Sequence, residues 1–193
     1  YFNIKFFSTG GIGGVHIGSE ENNDVSADLY SLSDYSNYVI CSGAKSILDL
    51  NKTYELLETL GITRVGYSTD YMPGFWYSET SHKVDKNFNE ISNICSFLKL
   101  KEKISPKKSV LIFNKVPAKD AVKKEQLNNW IKNSIRKAKV KNITGKELTP
   151  FLINDINKES NQLTLKANKS LIVNNAEIAG KTLLLALRSA SPK

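Results

Sequence analysis

Short apolar runs rich in β-branched and aromatic residues alternate along this chain with longer stretches whose apolar positions recur every three or four residues. Phe2 to Ser8 reads as a first strand that breaks into the Gly-rich turn Gly10 to Gly14. Tyr38-Val39-Ile40-Cys41 reads as a short buried strand. Ser46 to Leu60 then carries Ile47, Leu48, Leu50, Leu56, Leu57 and Leu60 at helical spacing and ends at Gly61. Thr63 to Tyr67 predicts the next strand, followed by the Gly, Pro and aromatic loop Ser68 to Tyr77. Val84 to Leu100 predicts a helix, Ser109 to Phe113 a strand, and Lys124 to Val140 a long amphipathic helix. A further helix begins at Thr149-Pro150-Phe151, because proline in a first turn lacks only a donor the helix leaves unpaired. Leu171 to Leu187 closes the pattern as a helix, or as a strand followed by a helix. This alternation predicts an α/β fold, with helices layered on both sides of a mixed, mostly parallel sheet, in a single domain over residues 1–193.

The 193 residues suffice for one full core, and no apolar run is long enough to span a bilayer. Cys41 and Cys95 cannot make a disulfide framework, and no secretory leader is recognisable, so a reducing, cytoplasmic setting is expected. The first strand is already under way at Tyr1, with no initiating Met, cap or turn before it. That suggests part of a longer protein. The net charge of +8 resolves into +12 between Lys99 and Lys146, where 15 basic residues face 3 acidic ones, and −4 elsewhere. No aromatic residues interleave those lysines as stacking platforms would, so a solvated helical surface is expected and nucleic acid is not the expected partner.

Three stretches carry candidate chemistry. Thr9-Gly10-Gly11-Ile12-Gly13-Gly14-Val15-His16 follows a strand and lets backbone amides approach a ligand, yet satisfies neither the dinucleotide nor the P-loop spacing. Alone it is either an anion cradle or a tight turn, and His16 either a packed histidine or a reacting one. Asp24 and Asp28 would share one helix face if Val25 to Tyr30 is helical. Two oxygen ligands suit Mg or Mn better than Zn, while Asp24 can equally cap the helix. Lys45, in Cys41-Ser42-Gly43-Ala44-Lys45-Ser46, lies just past a buried strand at the expected start of a helix. That setting disfavours an ammonium and favours an amine able to form a Schiff base, although a phosphate-binding lysine would fit as well.

Taken in order, Thr9 to His16, Asp24-Val25-Ser26-Ala27-Asp28-Leu29 and Cys41 to Asp49 closely resemble the pseudouridine-5′-phosphate glycosidase, or indigoidine synthase A-like, family. Leu57 to Gly61, Gly66 to Asp70 with Pro73 and Phe75, Gly145 to Leu152 and Asn174-Asn175-Ala176 extend the resemblance over nearly the whole chain. It is weakest between Lys99 and Lys141. The resemblance implies reversible cleavage of the C–C glycosidic bond of pseudouridine 5′-phosphate to uracil and ribose 5-phosphate, in a homotrimer that does not engage membranes. By it, Lys45 attacks the ribose C1′ and Asp24 holds Mn with water completing the coordination. Ser26, Ala27 and Asp28 form a substrate-binding segment, and Thr9, His16 and Asn175 lie around the substrate. The family's glutamate general acid and phosphate-binding lysine lie before the Gly-rich loop and have no counterpart here. A chain without them could instead be a non-catalytic sugar-phosphate or RNA-binding remnant.

Overall fold

A computed structural model describes residues 4–104 and 107–188 of the chain. Five strands form one sheet in the order β1-β2-β5-β3-β4: β1 (Phe6–Ser8), β2 (Tyr38–Cys41), β3 (Thr63–Tyr67), β4 (Lys86–Phe88) and β5 (Val110–Phe113). Every neighbouring pair is parallel. Strands buried on both faces read as continuous apolar runs, and β2 and β5, Tyr-Val-Ile-Cys and Val-Leu-Ile-Phe, are buried at all four positions.

Alternate residues of the central strands feed two cores. On one face Val39, Cys41, Leu111 and Phe113 pack against helices α2 (Ala27–Asp34), α3 (Leu50–Thr59), α5 (Lys124–Val140) and α6 (Leu148–Glu159). On the other, Tyr38, Ile40, Val110 and Ile112 meet α4 (Ile91–Ile104) and the last half of α7 (Leu163–Arg188). A single turn, α1 (Ser19–Asn22), precedes α2. Helix α7 serves both cores: Ala167 and Leu171 join the first, Ile178 and Ala179 the second.

The expected layered α/β/α arrangement is present, with two differences in its elements. Helix α3 begins at Leu50 instead of Ser46, because the Asp49 carboxylate accepts from the Lys52 N–H at 3.0 Å and caps it there. Residues 45–48 form a separate turn closed by the Leu48 N–H on the Lys45 carbonyl. The first part of the expected helix Val84 to Leu100 is instead β4. Val84 and Phe88 are spaced as on a helix, but pairing with the free edge of β3 satisfies this backbone, and Phe88 packs on Phe97. The expected closing stretch is one helix, α7, and Phe2 and Asn3 of the expected first strand lie outside the described residues.

Gly180 sits exposed within α7, and a Cβ there would meet nothing within 4 Å. Gly180→Ala is therefore expected to stabilise the fold by about 0.5–1 kcal/mol, read as a rise in thermal midpoint; an unchanged or lower midpoint would contradict this account of the helix.

Candidate active site

The Gly-rich stretch continues β1 as the middle member of an irregular three-way ladder. On its sheet side, the Ile12 N–H donates to the Gly43 carbonyl at 3.0 Å and the Lys45 N–H to the Ile12 carbonyl at 3.1 Å. On its far side, the Ser26 N–H donates to the Gly14 carbonyl and the His16 N–H to that of Asp24. The three stretches that stand apart in sequence are thus hydrogen-bonded to one another through the glycines.

The ladder slips once on each strand and recovers. Regular parallel pairing after Thr9 N–H to Ile40 would send the Ser42 N–H to the Thr9 carbonyl; it donates to Gly10 instead, at 2.9 Å. The second strand also carries an extra residue at Gly43, whose φ of +89° is left-handed. Pairing then resumes at Ile12 and Ala44 in the register of Ser8 and Ile40. Two carbonyls are released by the slips. That of Ser42 accepts from the Phe75 N–H at 2.8 Å. That of Thr9 accepts from the Asn175 side-chain amide at 2.9 Å.

Asn175 is fully buried. Its Nδ2 also reaches the Gly10 carbonyl at 3.4 Å and Ser42 Oγ at 3.1 Å, while its Oδ1 accepts from Asn114 Nδ2 at 3.1 Å. One side chain of α7 thereby ties down the residues that follow β1, β2 and β5. Its polar atoms are committed to the protein, so its influence on a ligand runs through the backbone it holds.

Close approach explains Gly13: a Cβ there would fall within the Ser26 side chain. The Gly13 N–H donates to Asp28 Oδ2 at 2.7 Å. Ser26, and not Asp24, caps α2, accepting from the Asp28 N–H at 3.3 Å. The helix starts at Ala27, so Asp24 and Asp28 do not share one of its faces. Asp24 belongs to the extended residues before the cap, because its carbonyl pairs with His16. Its carboxylate lies 3.8 Å from His16 Nδ1. Among the described residues no three His, Cys, Asp or Glu side chains cluster as a metal cage. A partly exposed single carboxylate suits only a hard, water-rich dication. Ala27 is exposed at the start of α2.

Lys45 follows the resumed pairing at Ala44, in the turn before α3 and not at a helix start as its sequence suggests. Thr9, Gly11, Asp28 and Lys45 line one cavity of about 360 Å³, bordered by Phe7 and Tyr35. His16, Asp24, Ser26, Ala27 and Asn175 stand outside that lining. Cys41 is buried beneath, and burial pushes its thiol up to about 12, so it is no rival nucleophile. Burial likewise raises Tyr54, whose hydroxyl donates to the Pro73 carbonyl at 2.8 Å. Ser42, Asn114 and Phe75 are supporting residues that sequence patterns did not single out by role. Their signal is position: Ser42 and Asn114 are each the first residue after a fully apolar strand, at the carboxyl ends where α/β sheets bind ligands.

A family model described as indigoidine synthase A like protein matches residues 1–183. The pseudouridine-5′-phosphate glycosidase of Brachyspira hyodysenteriae is 41% identical over 176 residues, covering 91% of this chain and 57% of the relative. That of Kosmotoga olearia is 42% identical over 178 residues, covering 92% of this chain and 61% of the relative. Among solved structures, prealnumycin C-glycosynthase AlnA in complex with ribulose 5-phosphate superposes with a TM-score of 0.89 at 29% identity, over 97% of this chain and 63% of that one. The chain therefore spans about three fifths of the length of the proteins it matches.

Burial raises the Tyr38 and Tyr77 hydroxyls to about 12 along with the Cys41 thiol. These acids hold their protons more tightly folded than unfolded, so their contribution is present below their unfolded values and is lost as pH climbs from about 9 towards 12. Urea midpoints should fall between about pH 8 and pH 10.5; equal midpoints would mean that these groups ionise as freely in the native state.

Proposed function

The chain belongs to the indigoidine synthase A-like family, and from that premise we propose that it forms the nucleophile-bearing part of a pseudouridine-5′-phosphate glycosidase. The reaction is reversible cleavage of the C–C glycosidic bond to uracil and ribose 5-phosphate. The observation that carries this reading is that Lys45 shares one cavity with Thr9 and Asp28, at the edge of a scaffold matched over 91% of the chain by glycosidases of this name. The likeness to a C-glycosynthase whose structure holds ribulose 5-phosphate supports a pentose phosphate in that cavity.

The residues suit the chemistry. A C–C bond has no heteroatom leaving group, so the sugar must first be opened and made electron-deficient. The uncharged Lys45 amine attacks C1′ and the ring C–O bond breaks with its oxygen taking a proton, which leaves the opened sugar bound to Lys45 as a secondary amine that still carries uracil. The uracil carbon then gains a proton from an acid, the electrons of the C–C bond return to the uracil ring, and the nitrogen lone pair forms the C1′=N imine that water later hydrolyses to ribose 5-phosphate. Phe7 and Tyr35 border the cavity and are themselves largely exposed, so the imine stays within reach of the water that hydrolyses it. Ser26 and the Gly13 N–H orient Asp28, and the turn closed by Leu48 on Lys45 fixes the nucleophile's backbone. Asp24 would hold Mn, beside His16, as one carboxylate in a water-rich shell. A bound dication there would supply positive charge near the substrate's oxygens. Assembly as a homotrimer belongs to the same reading.

Borohydride reduction in the presence of ribose 5-phosphate should add the sugar to Lys45 as a stable secondary amine, located by peptide mass spectrometry. Lys45→Ala should abolish the adduct. Modification spread over surface lysines, with Lys45 unlabelled, would overturn the assignment. Asp24→Asn should weaken Mn binding at least about tenfold by electron paramagnetic resonance, as loss of the sole charged ligand requires. Unchanged Mn affinity would remove Asp24 from that role.

A further inference from the structure

The slipped ladder leaves one polar group unaccounted for. After the slip, Gly10 and Ile12 direct their backbone groups to the second strand, through the Gly10 carbonyl and the Ile12 N–H and carbonyl. In an extended segment successive residues point to opposite sides, so Gly11 and Gly13 face the open edge of the sheet. The Gly13 N–H confirms that direction by donating to Asp28. The Gly11 N–H finds no acceptor among the described residues, and Gly11 lines the cavity that holds Asp28 and Lys45. Without the slip at Thr9, the phase would be reversed and Gly11 would turn inward. The slip persists because Asn175 receives the displaced Thr9 carbonyl, and its own amide is braced by Ser42 and Asn114.

The geometry points to a hydroxyl-reading pair in this cavity: the Gly11 N–H donates to, and the Asp28 carboxylate accepts from, one hydroxyl of a sugar phosphate, with Asn175 as the positioning residue that aims Gly11. A hydroxyl both accepts and donates, and so fits a donor beside an acceptor. A phosphate group does not, since it would set its charge against the Asp28 carboxylate. Bulges next to ligand sites commonly re-aim a group in this way. The inference rests on the sugar-phosphate reading above for its ligand class, but not on imine formation.

The test is a ¹H–¹⁵N titration of this chain with ribose 5-phosphate, its 2-deoxy and 3-deoxy analogues, and inorganic phosphate. Ribose 5-phosphate should move the Gly11 amide resonance, at least one deoxy analogue should bind about tenfold or more weakly, as loss of a paired hydroxyl requires, and inorganic phosphate should leave the amide in place. Asn175→Ala should remove the Gly11 response and speed exchange of its neighbour Ile12 about tenfold or more, as release from the ladder would. If that variant does not fold, Ser42→Ala, which removes one brace only, should show the same two effects in weaker form. An immobile Gly11 amide with bound ribose 5-phosphate, an equal response to inorganic phosphate, or a full Gly11 response in the folded Asn175 or Ser42 variant overturns the inference. A moving Gly11 amide without any Lys45 adduct would overturn the Schiff-base reading alone.

Discussion

A buried side-chain amide holds this site in shape. Asn175 meets the Thr9 and Gly10 carbonyls, Ser42 and Asn114 at the point where α7 crosses the carboxyl ends of three strands. The Gly10 carbonyl would keep the Ser42 N–H, but the Thr9 carbonyl, the Ser42 hydroxyl and the Asn114 amide would each lose their partner if the amide were removed, at a cost of about 1–3 kcal/mol apiece. An aliphatic residue of the same size would fill the space and satisfy none of them. The contact also explains why a long terminal helix matters to a site at the other end of the chain. Helix α7 is anchored in both cores, through Leu171 on one side and Ile178 on the other, so its amide is delivered from a rigid element.

Around that anchor the residues grouped by family resemblance sort into three kinds. Thr9, Asp28 and Lys45 face the cavity, while Ser26 and Asn175 hold the backbone that presents them. His16 and Asp24 pair at the far end of the Gly-rich stretch. The glycines allow these layers to lie in direct contact. At Gly13 the backbone touches Ser26 and Asp28, and at Gly43 it turns through a left-handed conformation against the Pro73 carbonyl. A side chain at either position would separate the acidic segment or the lysine turn from the strand that unites them.

Much of the scaffold was legible because its signals are local. The runs Tyr38 to Cys41 and Thr63 to Tyr67 are strands, and Lys124 to Val140 is a helix, with the limits their apolar patterns predict. Failures came where a tertiary partner outweighed periodicity. Val84 and Phe88 have helical spacing, yet the open edge of β3 recruited Lys86–Phe88 as a strand. Ser46 to Asp49 was absorbed into α3 by pattern, whereas the Asp49 cap and the preceding turn separate them. The site was legible as three stretches and, through resemblance, as roles. The slip at Thr9 was not, because it is closed by a residue 166 positions away in sequence, which no local rule can pair with it.

Charge gives a last constraint on how the work is divided. The cavity lining among the described residues carries one cation, Lys45, and one anion, Asp28, despite the net +8 of the chain. The basic excess lies elsewhere and is partly spent on internal pairs: Lys137 binds Asp155 and Glu159, and Lys108 caps the Leu60 carbonyl. If Lys45 is the nucleophile proposed above, its amine must be uncharged to attack a carbon and cannot at the same moment be the standing counter-ion of a phosphate. On the proposed function, the local balance suits the neutral, hydroxyl-bearing end of a sugar. In that reading, recognition of the phosphate falls to a cation other than Lys45, the one cation lining this cavity.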